Sequence, residues 1–473
     1  MRPALWDSWS ISKALGIPLE ADVVATDVVI DSRSVAHGAL FIGLKGNVHN
    51  GSVFAVDAIR AGAVLCIVDH IPYDPYGYHD VNTSKFIVVE DTHKALIQLA
   101  RFARQRFHGK VIGITGSAGK TSAKEMLRFA LSGVSGKVFA NAGNRNNIYG
   151  LPLSLCQLPK DYEFAVLEMA MSHAGEIEEL SELAKPHISL ITNVYQAHLG
   201  SFKDVEAIAH AKAEIYEHAT QGGYAIINVD GPYASFLQQK AKARNLHIVT
   251  FSQIAKSDVK LVECSFNMNE ILRSEGSTVV KACYFSKMIE YVVGSIGENF
   301  VLNSLAVLAT VVALGLNADK VMSHLSPFAA LPGRGKISHL RRNIILIDDS
   351  YNANPASVKA SINRLVHYKQ KKGRLIAVLG DMKELGENAV RLHLELLHHI
   401  QNNKIDKFFA VGEHMNHLFS AMPDTIKGVA TYTAKEAVPK VLEHIQAYDT
   451  VLVKGSFSMH MQHIVEEIIS KFS

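Results

Sequence analysis

Short apolar runs alternate with longer amphipathic ones along most of this chain, the pattern of strands interleaved with helices. Up to residue 108, the runs at 63–68 and 85–89 read as strands, and 53–61 and 93–107 as helices. His108, Gly109 and Lys110 then form a polar junction. From Val111 onward strand and helix alternate regularly, which predicts βαβ units and a mainly parallel sheet. Its buried-type strands are the run from Val111, then 164–169, 188–194 and 225–230, with a helix over 204–219 behind an acidic cap, Asp204. Residues 247–295 are less regular and suggest antiparallel additions. A second junction at 331–335 (Leu-Pro-Gly-Arg-Gly) precedes a third unit, with strands at 344–348, 374–379, 407–411 and 450–454.

The expected fold class is therefore α/β in three domains, 1–108, 109–332 and 333–473, closing on a shared site, with no short internal repeat. The apolar stretch 300–316 falls just short of the roughly 18–20 residues of a membrane span. It also carries Asn303, Ser304 and Thr310, so a buried helix is expected and no membrane insertion. At 473 residues, 48% hydrophobic and 20% charged, the composition is that of a globular protein without low-complexity segments. A net charge of +3 makes no case for a nucleic-acid partner, so any anionic substrate must meet local basic residues. Cys66, Cys156, Cys264 and Cys283 are scattered, which argues against a disulfide or zinc framework. The N-terminal stretch contains Asp7 and no apolar segment, so a signal peptide is not expected and the cytoplasm is the default location.

The strongest chemical signal is Val111 to Ser122 (VIGITGSAGKTS). A strand breaks into Gly116, Gly119, Lys120 and Thr121, and a helix-forming run from Ala123 to Leu131 follows. Backbone N–H groups and a helix N-terminus at such a turn cradle phosphate, the lysine reaches terminal phosphates, and the threonine hydroxyl suits a phosphate-bound Mg²⁺. Ile114 breaks the common GxxxxGK[ST] spacing, and the pattern is TGxxGK[TS]. Glu168 ends a strand and could ligate Mg²⁺ opposite Thr121. In a parallel sheet, 115–120, Glu168, 193–198 and 228–230 could converge beyond the strand ends. His198 and Lys212 read from spacing alone as ordinary polar residues, Asp348 and Asp349 suit turn chemistry or ribose contacts, and Arg334 could reach a phosphate on domain closure.

Taken together these residues resemble the Mur ligase family over nearly the whole chain. The resemblance is carried by Asp31-Ser-Arg33 with Leu44-Lys-Gly46, by 115–121, by Asn146-Asn147 with Gly150 and Pro152, and by Glu168 with Gly175-Glu-Ile177. Thr192-Asn-Val194, Ala197-His-Leu199, 331–335, 349–355 (Asp-Ser-Tyr-Asn-Ala-Asn-Pro), 379–386 (Leu-Gly-Asp-Met-Lys-Glu-Leu-Gly) and Lys454-Gly-Ser456 continue it. The two long C-terminal strings resemble the dipeptide-adding branch. The resemblance implies a UDP-substrate-binding N-terminal domain, a central P-loop-type ATPase domain with a mainly parallel sheet, and a Rossmann-like C-terminal domain. It further implies an ATP-dependent, acyl-phosphate-forming ligase, a monomer acting on UDP-MurNAc-tripeptide and D-Ala-D-Ala.

Residue by residue, the implied catalytic groups are Lys120, His198 and Lys212. The implied nucleotide contacts are Thr115, Gly116, Ser117, Ala118, Gly119, Lys120, Thr121, Ser122, Asn303, Arg334 and Asp349. Two Mg²⁺ ions are implied, on Thr121, Glu168, His198 and a carbamylated Lys212. Implied substrate contacts are Ser32, Arg33, Lys45, Asn146, Asn147, Asn352, Asn354 and Lys454. Ala118, Ala170, Asn299-Phe300 and Phe457 depart from the family pattern. A sibling ligase, including a folylpolyglutamate synthase-like one, and a nucleotide-binding homologue without ligation are the alternative readings.

Overall fold

The computed structural model describes residues 4–19, 22–46, 48–72, 83–196, 199–267 and 276–473. Among these, four sheets organise the chain. Near the N-terminus, Asp27–Val29, Ala39–Ile42, Ala63–Val68 and Phe86–Val88 pair in parallel in that order, beside a two-stranded antiparallel ribbon of Trp6–Asp7 and Val24–Ala25. The helix Thr92–Gln105 packs its apolar side into a core continuous with that of the central unit. Trp6 marks the join, donating from its indole to the Cys156 carbonyl at 2.8 Å.

The central sheet has nine strands. Its parallel part includes Lys110–Thr115, Phe164–Glu168, Ile188–Ile191, Tyr224–Asn228 and His247–Ser252. The irregular region forms the expected antiparallel addition, with Val259–Asn267, Ser277–Tyr284 and Lys287–Val293 paired in sequence. The helix Glu298–Ala313 is buried within the protein, as its three polar residues predicted, and no described helix is long and apolar enough to cross a membrane.

Two elements are shorter than the sequence pattern suggests. The strand at 188 stops at Ile191, because Thr192 and Asn193 turn their side chains onto the phosphate loop. The helix behind Asp204 runs over Val205–Ala213 and tightens to a 3₁₀ turn at Glu214–Tyr216. Asp204 caps it as expected, accepting the Ala207 N–H at 2.8 Å.

The third unit is a six-stranded sheet. Lys336–Leu340 runs antiparallel to Ile344–Asp349, and Thr450–Lys454, Leu375–Gly380, Lys407–Val411 and Lys427–Thr431 continue in parallel. Its two faces are covered by separate apolar clusters.

One histidine couples the central sheet to pH. His187 Nδ1 accepts the Val111 N–H at 3.0 Å, where the first central strand begins. Burial, then the charges of Arg104 and Lys110, push its pKa down from 6.5 to about 4. The unfolded imidazole takes its proton at the higher pH, so this contribution to stability is whole above 6.5 and is lost as pH falls towards 4. His187→Gln is expected to flatten the acid side of the stability–pH curve in urea melts between about pH 7 and pH 5. An unchanged slope would assign that limb to other groups.

Candidate active site

Strand register gathers the site. Ile114 pairs with Glu168, and Ile191 with Thr115, so three parallel strands end side by side. The loop leaving Thr115 needs glycine at two points. At Gly116, φ is +151° and a Cβ would lie 1.9 Å from Thr192 Oγ1; at Gly119, φ is +80° and a Cβ would lie 2.8 Å from Asn303 Oδ1. The helix Lys120–Ser132 starts directly after Gly119 without a side-chain cap, a turn earlier than its apolar run suggests.

The loop is held from the neighbouring strand end. Asn193 Oδ1 accepts the Ala118 N–H at 2.8 Å, while its Nδ2 and the Thr192 hydroxyl donate to the Ala118 carbonyl at 3.0 and 2.7 Å. Ser117 is tied likewise, its N–H to the Asn193 carbonyl and its hydroxyl to that of Tyr195, each at 3.0 Å. Position 118 thus contributes its backbone, which explains why alanine serves there. Lys120 curls back to the Gly116 carbonyl at 2.7 Å. Burial lowers its pKa, the Glu168 carboxylate opposes that, and Arg334 adds to it.

Glu168 is buried, with Oε2 accepting the Thr121 hydroxyl at 2.7 Å and Oε1 the Asn146 amide at 2.8 Å. Beneath it lies Lys124, a residue the sequence pattern does not single out. Lys124 is fully buried, with Nζ 2.6 Å from the Asn141 carbonyl, 3.1 Å from Glu125 and 3.9 Å from Glu168 Oε2. Asn141 also accepts the Glu168 N–H and donates to its carbonyl. A buried carboxylate so held is fixed in direction and balanced in charge. Hydroxyl, carboxylate and side-chain carbonyl oxygens form a hard-donor set, which fits Mg²⁺.

These groups face a cavity of about 550 Å³ whose opposite wall comes from the third unit. There the Arg334 guanidinium lies 4.0 Å over the Tyr351 ring, and Tyr351 contacts Phe457 with ring centres 5.6 Å apart. Lys454 donates to Asp349 at 2.8 Å and to the Asn352 carbonyl at 2.9 Å, and Ser361 also donates to Asp349. A smaller cavity of about 280 Å³ lies against the first unit, lined by Asp31, Ser34, Arg145 and Tyr149. Asn144 and Asn147 line both cavities.

Residues 25–104, 114–311 and 333–457 match family models described respectively as Mur ligase family, catalytic domain; Mur ligase middle domain; and Mur ligase, glutamate ligase domain. The chain is 32% identical over 465 residues to the UDP-N-acetylmuramoyl-tripeptide–D-alanyl-D-alanine ligase of Rickettsia prowazekii, covering 98% of this chain and 99% of that one. This chain belongs to the Mur ligase family. The Escherichia coli protein of the same name is 31% identical, over 95% of this chain and 94% of that one. Among solved structures, MurF from Acinetobacter baumannii superposes with a TM-score of 0.84 at 29% identity, over 98% of this chain and 99% of that one. MurF ligase from Thermotoga maritima in complex with ADP gives 0.77 at 28%, over 94% and 97%.

In this Mur ligase the cavity gathers Ser117, Ala118, Gly119, Lys120, Thr121, Ser122, Asn146, Asn147, Glu168, Asn303, Arg334, Asp349, Asn352, Asn354 and Lys454. Several expected contacts do not line it. Thr115 is buried within the sheet, and Gly116 is turned against Thr192. Arg33 pairs with Asp31 at 2.7 Å in solvent, and Lys45 forms an isolated backbone bridge with Asn50; Ser32, Arg33 and Lys45 line neither of these two cavities. Asn354 spends its side-chain oxygen capping the helix Pro355–His367, and Asn147 Oδ1 accepts the Tyr149 and Gly150 N–H groups.

The convergence expected for 228–230 does not occur. Asn228 donates to the Thr192 carbonyl, and Asp230 accepts from Ser252, Gln253 and Ala255, so both brace a neighbouring turn. Lys212 is buried on the helix Val205–Ala213 and does not line the cavity. Burial, aided by the Lys120 ammonium, holds its pKa well below the usual lysine value. Ala197 and His198 lie outside the described residues.

Because Asn193 makes two of the contacts on Ala118, Asn193→Ala is expected to weaken ADP binding by about 5- to 100-fold, the cost of one or two lost hydrogen bonds. Calorimetric titration with ADP and Mg²⁺ measures this; unchanged affinity would mean that the loop keeps its shape without the clamp.

Proposed function

We propose that this Mur ligase is an ATP-dependent amide ligase that joins D-alanyl-D-alanine to UDP-N-acetylmuramoyl-tripeptide, releasing ADP and phosphate. The observation that carries this reading is the single cavity shared by the phosphate loop, Glu168 and the Asp349–Lys454 wall. Similarity along the whole chain to ligases of that name supports the substrate pair.

A carboxylate is a poor acyl donor because its leaving group would be oxide. Transfer of the ATP γ-phosphoryl group gives an acyl phosphate, which the dipeptide amine attacks; the tetrahedral adduct then loses phosphate. Positioning and charge stabilisation are the protein's contribution. The backbone of 117–121 cradles phosphate, and Lys120 swings from the Gly116 carbonyl to meet the transferring group. Mg²⁺ supplies neutralisation of phosphate charge, and Thr121 and Glu168 are the residues that would hold it. Arg334, Asn303 and Asp349 supply the remaining nucleotide contacts, and Asn352 with Lys454 the acceptor side. The smaller cavity suits the uridine end of the muramoyl substrate, with Asn147 where the two chambers meet.

A second Mg²⁺ would use His198 and a carbamate on Lys212. Neutral amine adds CO₂ and loses a proton, turning a cation into an anionic oxygen donor, and the depressed pKa of Lys212 favours the neutral amine that reaction needs. One chain supplies both walls of the cavity, which supports action as a monomer, and dependence on ATP supports a cytoplasmic location. The 349–355 string and the stronger structural match to MurF than to the diaminopimelate ligase (TM-scores 0.84 and 0.54) favour this reading over a sibling ligase.

Phosphate release is expected only when UDP-muramoyl-tripeptide, D-alanyl-D-alanine and ATP are all present; release without the dipeptide, or with a single amino acid in its place, would overturn the assignment. Lys120→Ala is expected to lower kcat by at least about 100-fold with an unchanged circular dichroism spectrum. Lys212→Ala is expected to be nearly inactive and partly rescued by acetate or formate, whereas full unaided activity would exclude the carbamate.

A further inference from the structure

The loop at 381–386, which follows the strand Leu375–Gly380, bridges two parts of the molecule. On one side it brackets the Lys454–Ser456 turn, with Lys383 N–H donating to Ser456 Oγ at 2.8 Å and Ser456 N–H to the Asp381 carbonyl at 3.1 Å. On the other it reaches the central unit, where Gly200 N–H donates to the Glu384 carbonyl at 3.0 Å. Glu384 holds a left-handed φ of +64°, and so does Gly386 at +58°, with the Leu199 carbonyl 3.3 Å from where a Cβ would stand. A non-glycine residue in that region costs about 1–2 kcal/mol, so the bend needs an outside constraint.

His393 supplies it. The side chain is fully buried on the short helix Ala389–Leu394. Its Nε2 accepts the Met382 N–H at 2.9 Å, and its Nδ1 lies 2.6 Å from the Ala389 carbonyl. A carbonyl only accepts and an amide N–H only donates, so the ring is neutral with its proton on Nδ1. Burial lowers the imidazole pKa in the same sense.

We propose that His393 is a positioning residue, fixing the 381–386 loop so that Glu384 clamps Gly200 and the C-terminal unit is latched to the central one. Its catalytic consequence rests on the ligase reading above; the clamp itself does not.

The test compares His393→Gln, which keeps an acceptor for Met382, with His393→Leu, which does not. Hydrogen–deuterium exchange at Gly200 is expected to rise about tenfold or more in the leucine variant and to stay within about twofold in the glutamine variant. kcat should fall in parallel, about tenfold in the leucine variant, with KM for ATP nearly unchanged. Gly386→Ala, which strains the far end of the loop without touching the imidazole, should give the same exchange at Gly200 and guards against a leucine variant that does not fold. Wild-type protection at Gly200 in either disrupting variant, or equal loss in the glutamine and leucine variants, overturns the proposal. If the wild type shows no ligation, the exchange result alone decides on the clamp.

Discussion

The backbone of Ala118 is gripped by the side chains of Thr192 and Asn193, and the rest of the nucleotide site depends on that grip. A phosphate-binding turn must present several N–H groups in one direction, and two glycines at positive φ cannot hold such a shape unaided. The neighbouring parallel strand supplies the constraint, because its register brings Ile191 level with Thr115. On the other side, register brings Glu168 level with Ile114, so the carboxylate reaches Thr121 with no further turn of chain. Lys124 and Asn141 then fix that carboxylate from below.

The C-terminal unit repeats the same device. Lys454 pairs in register with Asp349 across two parallel strands and with Leu379 on its other side. The lysine is buried against the aspartate, while Arg334 is held over Tyr351 at the mouth of the junction. Asp348 braces the junction itself, accepting the Gly333 N–H at 2.7 Å. The two cavities meet at Asn144 and Asn147, one facing the third unit and the other the first.

The departures from the family pattern find physical explanations of unequal kind. Ala118 needs only its backbone. Phe300 is core rather than nucleotide pocket, buried with the Arg364 guanidinium 4.9 Å over its ring. Phe457 stands in the cavity wall against Tyr351, where it presents an aromatic surface. Nothing in the structure explains Ala170.

The phosphate loop, the strand-ending Glu168, the buried helix at 300 and the Asp349 string were legible because each is a local pattern: apolar period, glycine at a turn, charge at a strand end. Lys124 was not, since a lysine one turn into a helix reads as a solvated charge until another strand covers it. Asn228 and Asp230 misled for the converse reason, as strand-end polar groups that a neighbouring turn claims. Thr115 shares the cause: whether a polar side chain faces a cavity or the interior depends on what packs against it. By itself the sequence determined the elements, the chemistry of the loop and the family. Only the tertiary structure decided which side chains share the cavity, because that rests on strand order and register, which are contacts between residues far apart in the chain.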